Sequence, residues 1–441
     1  MEIKREILQQ LAEWKNSPYR KPLVLQGARQ VGKSWVLKKF GETCFSDYVY
    51  INFDDQPELK KDFARTKEPS RIIKLLQQIC GKLILPNDTL VIFDEIQECN
   101  DALNAMKYFC EQAPEYAVVC AGSLLGVALK RSGSSFPVGK VDLMTLYPVT
   151  FVEFLGATEP NLHNFILSVD TVEPIPEVLH SQLIASYKTY LACGGMPEAV
   201  SRYADTKDWQ MVDKVQEAIQ TSYTLDFSKH INNSDIPRVF QVWGNLQDQL
   251  AREDRKFRFA MIQQSARARE YESAIEWLCL AGLVNRVYAV ETPRLPLSAY
   301  KKSNAFKLYL SDVGLLRNKF RLDPFVTMEG DTLFTEFKGI LAENYVLESL
   351  VSQFGKEQFY WTSGNTAELE FILQQRNQII PIEVKASTNV TARSLSEYRK
   401  KYSPAVSVRL SLKNLCRDDD MLNVPLYLVD ELHRILSEIV Q

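Results

Sequence analysis

The chain predicts an α/β multidomain fold whose first domain is built on a parallel sheet. Three observations predict it. Apolar runs of strand length alternate with helically patterned segments over the first 150 or so residues, the pattern of strands buried on both faces between helical layers. The pattern then turns helical from about 178 to 240. Beyond it, helices lead twice more into groups of strand-like runs. At roughly 150 residues per domain, the 441 residues leave room for about three domains, and 46% hydrophobic content supplies their cores.

In order, residues 1–20 read as a helix, because Ile3, Ile7, Leu8, Leu11 and Trp14 recur at helical spacing. KPLVLQG is a short strand, followed by a glycine-bearing loop and the helical run KSWVLKKF. DYVYINFDD (47–55), TLVIFDE (89–95) and YAVVCAGS (116–123) are further strands, with ALNAMKYFCEQA a helix between the last two. Strand-like VDLMTLYPV follows, and the domain is assigned to 1–177. A helical lid is assigned to 178–240, broken where the glycines and proline of ACGGMPEAV force a turn. In 241–325 helices precede LVNRVYAVE and FKLYLSD, a pattern that fits a winged helix. In 326–441 the helix FKGILAENYVLESLVSQF leads into QFYWTS, ELEFILQQ and IIPIEVKA, a separate α/β unit.

Composition narrows the function classes. A formal charge of −3 gives no global basic field for nucleic acid, although a local basic face stays open. The eight cysteines form no CxxC pair and the four histidines no metal-ligand spacing, so a zinc site is not expected. The amphipathic N-terminus lacks a signal peptide's apolar core. No run approaches the roughly 20 apolar residues of a membrane span. These readings predict reduced thiols, no membrane partner and a cytoplasmic location.

The sharpest motif is Gly27-Ala28-Arg29-Gln30-Val31-Gly32-Lys33-Ser34, which satisfies GxxxxGK[ST] in full. Such a loop curls so that successive backbone N–H groups face phosphate oxygens, and the next helix offers its N-terminus to the same anion. The backbone from Gln26 to Trp35 is therefore expected to wrap the triphosphate of ATP. Lys33 would reach the β- and γ-phosphates and Ser34 would ligate magnesium. Downstream, the apolar strand ending in Asp94-Glu95 delivers two carboxylates. Asp94 is the metal-side acid. Glu95 is the candidate general base, the alternative being a surface carboxylate at a strand end. Ser123 is a candidate partner of the γ-phosphate or of the attacking water.

RKPLVLQGARQVGKS, VIFDEIQ, CAGSLL, FPVGKVDLMTLYPVTFVEFL, YLACGGMPEAV and FKLYLSDVGLL together resemble a large prokaryotic group of AAA-type ATPases that carry a C-terminal DUF4143 domain. The resemblance runs in order over about residues 1–415. It implies an AAA-like core, a helical lid, a winged helix and a C-terminal restriction-endonuclease-like fold. It also implies a sensor role for Ser123. Lys140 stands where many members have arginine, and lysine is a poorer mimic of arginine's planar fork. Arg131, Arg267 and Arg269 are the candidates for an arginine finger.

Glu343, Glu370, Glu383 and Lys385 follow the order of a restriction-endonuclease-like site in that resemblance. Alternate strand residues point to one face, so Glu383 and Lys385 project together. Two carboxylates can hold magnesium beside a lysine. Glutamate at 370 replaces the more usual aspartate, and the alternative is an amphipathic strand with a surface Glu–Lys pair. Arg267, Arg269, Lys301 and Lys302 suggest contact with DNA, but Glu270, Glu272 and Glu276 interleave with them. The expected function is Mg-dependent ATP hydrolysis coupled to DNA binding or processing. The alternative is a nucleotide-dependent switch or scaffold, with a protein partner or a second copy of the chain and an inactive C-terminal domain.

Overall fold

The computed structural model describes residues 2–123, 125–128, 136–231, 234–329, 335–364, 367–387 and 393–439. They form two compact units. One comprises Arg5–Tyr147 with Leu280–Gly282, and the other Met1–Lys4, Pro148–Cys279 and Leu283–Gln441.

The first unit holds five parallel strands: β1 (Leu23–Gln26), β2 (Asp47–Asn52), β3 (Thr89–Asp94), β4 (Ala117–Gly122) and β5 (Asp142–Thr145). Their order is β2-β3-β4-β1-β5. Every residue of β3 and β4 is buried, which is why these strands read as continuous apolar runs rather than alternating ones. Phe53, Phe63 and Phe93 close the core on one side with ring centroids 5.3–5.7 Å apart. The helix Lys33–Cys44 buries Val36, Leu37 and Phe40. From β1 the chain crosses to β2 at the far edge, whereas from β4 it crosses β1 to reach β5. The two connections leave in opposite directions, which opens a crevice at the carboxyl ends of β1 and β4, the usual ligand position in such sheets.

The second unit holds an eight-stranded mixed sheet: β6 (Val284–Val290), β7 (Lys301–Leu310), β8 (Gln358–Thr362), β9 (Glu368–Gln375), β10 (Gln378–Val384), β11 (Ser407–Ser411), β12 (Cys416–Asp418) and β13 (Met421–Pro425). Its order is β12-β13-β11-β10-β9-β8-β6-β7. The β6–β7 hairpin expected as the wing of a separate module is the edge of this sheet, because β6 pairs in parallel with β8. The sheet therefore continues across the boundary expected near 325. Hairpin pairing is local and legible in sequence. The pairing of β6 with a strand some seventy residues later is not, and it supplies the cover that buried Val287, Ala289 and Val290 require.

Two of the sequence motifs interlock in this unit. Asp312 is fully buried and accepts the Gly195 N–H at 2.6 Å and the Leu315 N–H at 2.8 Å. Gly194 has φ 70, and a Cβ there would stand 2.7 Å from the Gly314 backbone. Val149 donates its N–H to the Gly195 carbonyl at 2.6 Å, and the Tyr190 hydroxyl donates to the Val149 carbonyl at 2.6 Å. The paired glycines are thus a close backbone crossing.

Candidate functional site

The loop 27–34 joins β1 to the helix that begins at Lys33. Gly32 caps that helix at φ 92, ψ 24, a left-handed conformation suited to glycine. A Cβ on Gly27 would collide with the Leu146 carbonyl oxygen. Lys33 is buried, and its Nζ donates to the carbonyls of Gly27 at 3.0 Å and Ala28 at 2.7 Å. The lysine therefore lies along the inside of its own loop. Burial lowers its pKa to about 8, against the opposing pull of Glu95 and Asp94. Trp35, expected beside the nucleotide, is 41% exposed on the first helical turn, unlike the buried Trp14, Trp243, Trp277 and Trp361.

The strand β3 brings Asp94 to the same end of the sheet. Asp94 is buried; its Oδ1 accepts the Glu95 N–H at 3.0 Å and its Oδ2 accepts the Tyr50 hydroxyl at 2.7 Å. Ser34, in the first turn of the helix after the loop, and Asp94, at the end of β3, are hard oxygen donors, a set that fits magnesium completed by water and phosphate oxygens. Glu95 sits at φ 50, ψ 46, strained for a residue with a side chain. Its Oε2 accepts Gln97 Nε2 at 2.5 Å. Gln97 Oε1 lies 2.5 Å from where a Gly122 Cβ would stand, and that oxygen has no hydrogen-bond partner. Ser123 is buried directly after β4.

Three contributors escaped the sequence reading. Arg5 is buried and donates to the carbonyls of Val31 at 3.1 Å and Tyr147 at 2.7 Å, tying the crest of the loop to the chain after β5. Gly282 has φ 73, and a Cβ there would lie 3.2 Å from Ala28 N. Tyr50 looked like one more aromatic of a strand. The GARQVGKS spacing gives no hint of any of them. Lys140 is engaged with Glu111 at 2.9 Å. Arg131 lies outside the described residues, and Arg267 and Arg269 are exposed beside the start of the helix Ala268–Leu280.

In the second unit the charges of Glu343 and Lys385 act on Glu370, and Lys385 also stands beside Glu383. Glu343 is buried and accepts Arg255 and, at 3.0 Å, the Tyr309 hydroxyl. Glu370 accepts the Val384 N–H at 3.0 Å. Burial, and then the charge of Glu343, push its pKa up, while Lys385 opposes them. Glu383 is buried, 3.4 Å from Lys385 Nζ and 3.8 Å from Arg409 Nε. Cationic side chains thus stand beside Glu343 and Glu383. Among the described residues no three acidic, histidine or cysteine side chains are arranged to hold a metal ion. Lys301 and Lys302, candidates for DNA contact, are paired with Glu357 and Glu291.

Among the described residues, no helix is long and apolar enough to cross a membrane. Family models match the chain in three places: an AAA domain over residues 19–155, a domain of unknown function (DUF8612) over 184–325, and a domain of unknown function (DUF4143) over 338–428. No curated protein matches the chain. Among solved structures, a Walker-type ATPase of Pyrococcus abyssi is similar at 16% identity and a TM-score of 0.46, over 72% of this chain and 96% of that one. The ORC2 protein of Aeropyrum pernix, in its ADPNP–ADP complexes, is similar at 13% identity and a TM-score of 0.37, over 77% and 94%. The RuvB Holliday junction branch migration motor of Thermotoga maritima is similar at 13% identity and a TM-score of 0.31, over 73% and 96%.

Proposed function

The chain has the architecture of an AAA domain followed by DUF4143, and we propose that it binds and hydrolyses ATP with magnesium at the 27–34 loop. One observation carries this reading. Buried Lys33 lies inside the loop with Glu95 and Asp94, from the end of another strand, as the carboxylates acting on its charge.

In this reading the loop N–H groups and Lys33 bind the phosphates. Lys33 exchanges two carbonyl acceptors for phosphate oxygens, a stronger charge-assisted pairing. Ser34 and Asp94 would hold magnesium, which supplies positive charge to the phosphate oxygens when bound. Glu95 orients the attacking water and accepts its proton, and Ser123 donates to the water or to the γ-phosphate. The test is phosphate release from the purified chain with Mg²⁺. Lys33→Ala abolishes productive nucleotide binding; Glu95→Gln binds nucleotide but turns over slowly. Unaltered turnover in Glu95→Gln rejects Glu95 as the base.

For the C-terminal unit, the ion-paired state of Glu343 and Glu383 favours binding without cutting. Linear and plasmid DNA incubated with the protein and Mg²⁺ or Mn²⁺ stay intact on this reading, and metal-dependent cleavage rejects it. Turnover stimulated by DNA would make DNA the acted-on partner; DNA-independent turnover supports a switch or scaffold for protein partners.

A further inference from the structure

Tyr50 stands on β2, opposite Ile92 of β3, with Lys38 Nζ 3.8 Å from its ring centroid. Its hydroxyl donates to Asp94 Oδ2 at 2.7 Å. We infer that Tyr50 is a positioning residue for the divalent cation of the nucleotide site, holding the Asp94 carboxylate in a preformed orientation as an oxygen ligand. The inference rests on reading the 27–34 loop as a magnesium-nucleotide site.

Tyr50 donates its proton to Asp94 Oδ2. With the Glu95 N–H on Oδ1 and Tyr50 on Oδ2, both oxygens are held, so the carboxylate plane is fixed while each oxygen keeps a free acceptor site for a cation. Lys38 over the ring resists its rotation out of the strand, a cation–π contact. Phenylalanine would preserve the ring and that contact while breaking the hydrogen bond to Asp94.

The experiment titrates Mg²⁺ into the full chain with a fluorescent ATP analogue and repeats the nucleotide titration in EDTA. Partners that orient metal ligands are typically worth about 10–100-fold in metal affinity. Tyr50→Phe is accordingly expected to raise the Mg²⁺ midpoint about tenfold and to leave metal-free nucleotide affinity and the melting temperature unchanged. Lys38→Met, which keeps the hydrogen bond to Asp94, shifts the midpoint the same way by a smaller factor. A folded Tyr50→Phe protein with an unchanged or lower midpoint overturns the inference. If Tyr50→Phe does not fold, an unchanged midpoint in Lys38→Met overturns it. Failure of the wild-type chain to bind nucleotide at all instead overturns the underlying reading of the loop, and this inference with it.

Discussion

Gln97 donates its amide N–H to Glu95 at 2.5 Å and so clasps a residue held at φ 50. Backbone strain of this kind persists only where the surroundings over-determine it, and here the Asp94 carboxylate holds the Glu95 N–H while Gln97 holds the side chain. General bases contribute about 10²–10⁴-fold to rate, so Glu95→Gln is expected to lose turnover on that scale. Gln97→Ala, which frees the base without removing it, is expected to lose about tenfold in kcat with nucleotide affinity preserved. Phosphate-release kinetics beside equilibrium binding would test the pair of variants; equal kcat in Gln97→Ala and wild type would mean the clasp does not matter.

In the proposed reading of the 27–34 loop, Lys33 links nucleotide binding to pH. Its pKa is lowered to about 8 by burial within its own loop, and a bound triphosphate would favour the cation and raise it again. Below pH 8 the ammonium is already formed and binding moves no proton at this group. From pH 8 up to lysine's ordinary pKa, binding takes up a proton and affinity falls as pH rises. Calorimetry at pH 9 in two buffers of different ionisation heat should report that uptake, and the same measurement at pH 6.5 should show it gone; equal uptake at both values would reject Lys33 as its source.

The backbone crossing at Gly194–Gly195 should be intolerant of side chains. A Cβ at Gly195 meets the Val149 carbonyl, whereas one at Gly355 meets nothing within 4 Å, although both are glycines of the same unit. Gly195→Ala is expected to cost about 3 kcal/mol, as for overpacking a close contact. Gly355→Ala, at φ 93, should cost only the left-handed penalty of about 1 kcal/mol. Denaturant melts of both variants would settle the order.

Buried carboxyls predict a stability that falls toward neutral pH. Burial raises Asp312 and Asp430 to about 6 each, against opposing hydrogen bonds from Leu315 and Gly195 on Asp312 and from Ser349 and Val152 on Asp430. Between the ordinary aspartate value and pH 6 the folded chain binds more protons at these groups than the unfolded one. Their contribution to stability therefore declines as pH rises through that window and stays reduced above it. Asp312→Asn or Asp430→Asn should flatten the decline, measured as unfolding midpoint against pH from 4.5 to 7.5.

The Arg255–Glu343 pair gives a last test. Both groups are largely shielded from solvent, and removing one partner of such a pair costs about 3–5 kcal/mol, whereas replacing both with apolar residues is often near neutral. Glu343→Gln should lower the melting temperature sharply, and Arg255→Met with Glu343→Leu should recover most of the loss. A mild effect from Glu343→Gln would remove the pair from any structural role.

Much was legible before the fold. The phosphate-loop spacing, the apolar strand ending in two acids and the AAA and DUF4143 motifs were all readable, because each is a local requirement of backbone curl, strand burial or strand-end placement. The acid–Glu–x–Lys order in the C-terminal strands was readable for the same reason. Its electrostatic state was not: Arg255 comes from the charged run REDRK and Arg409 from another strand.

The residues by themselves thus determined the GxxxxGK[ST] loop between strand and helix and the α/β layering, since both follow from spacing along short segments. Only the tertiary structure decided that Tyr50 donates to Asp94, that Gly282 seats against Ala28, and that β6 pairs with β8. These relationships join residues tens to hundreds of positions apart. Hydrogen bonding and close packing depend on position in space, which local sequence periodicity does not encode.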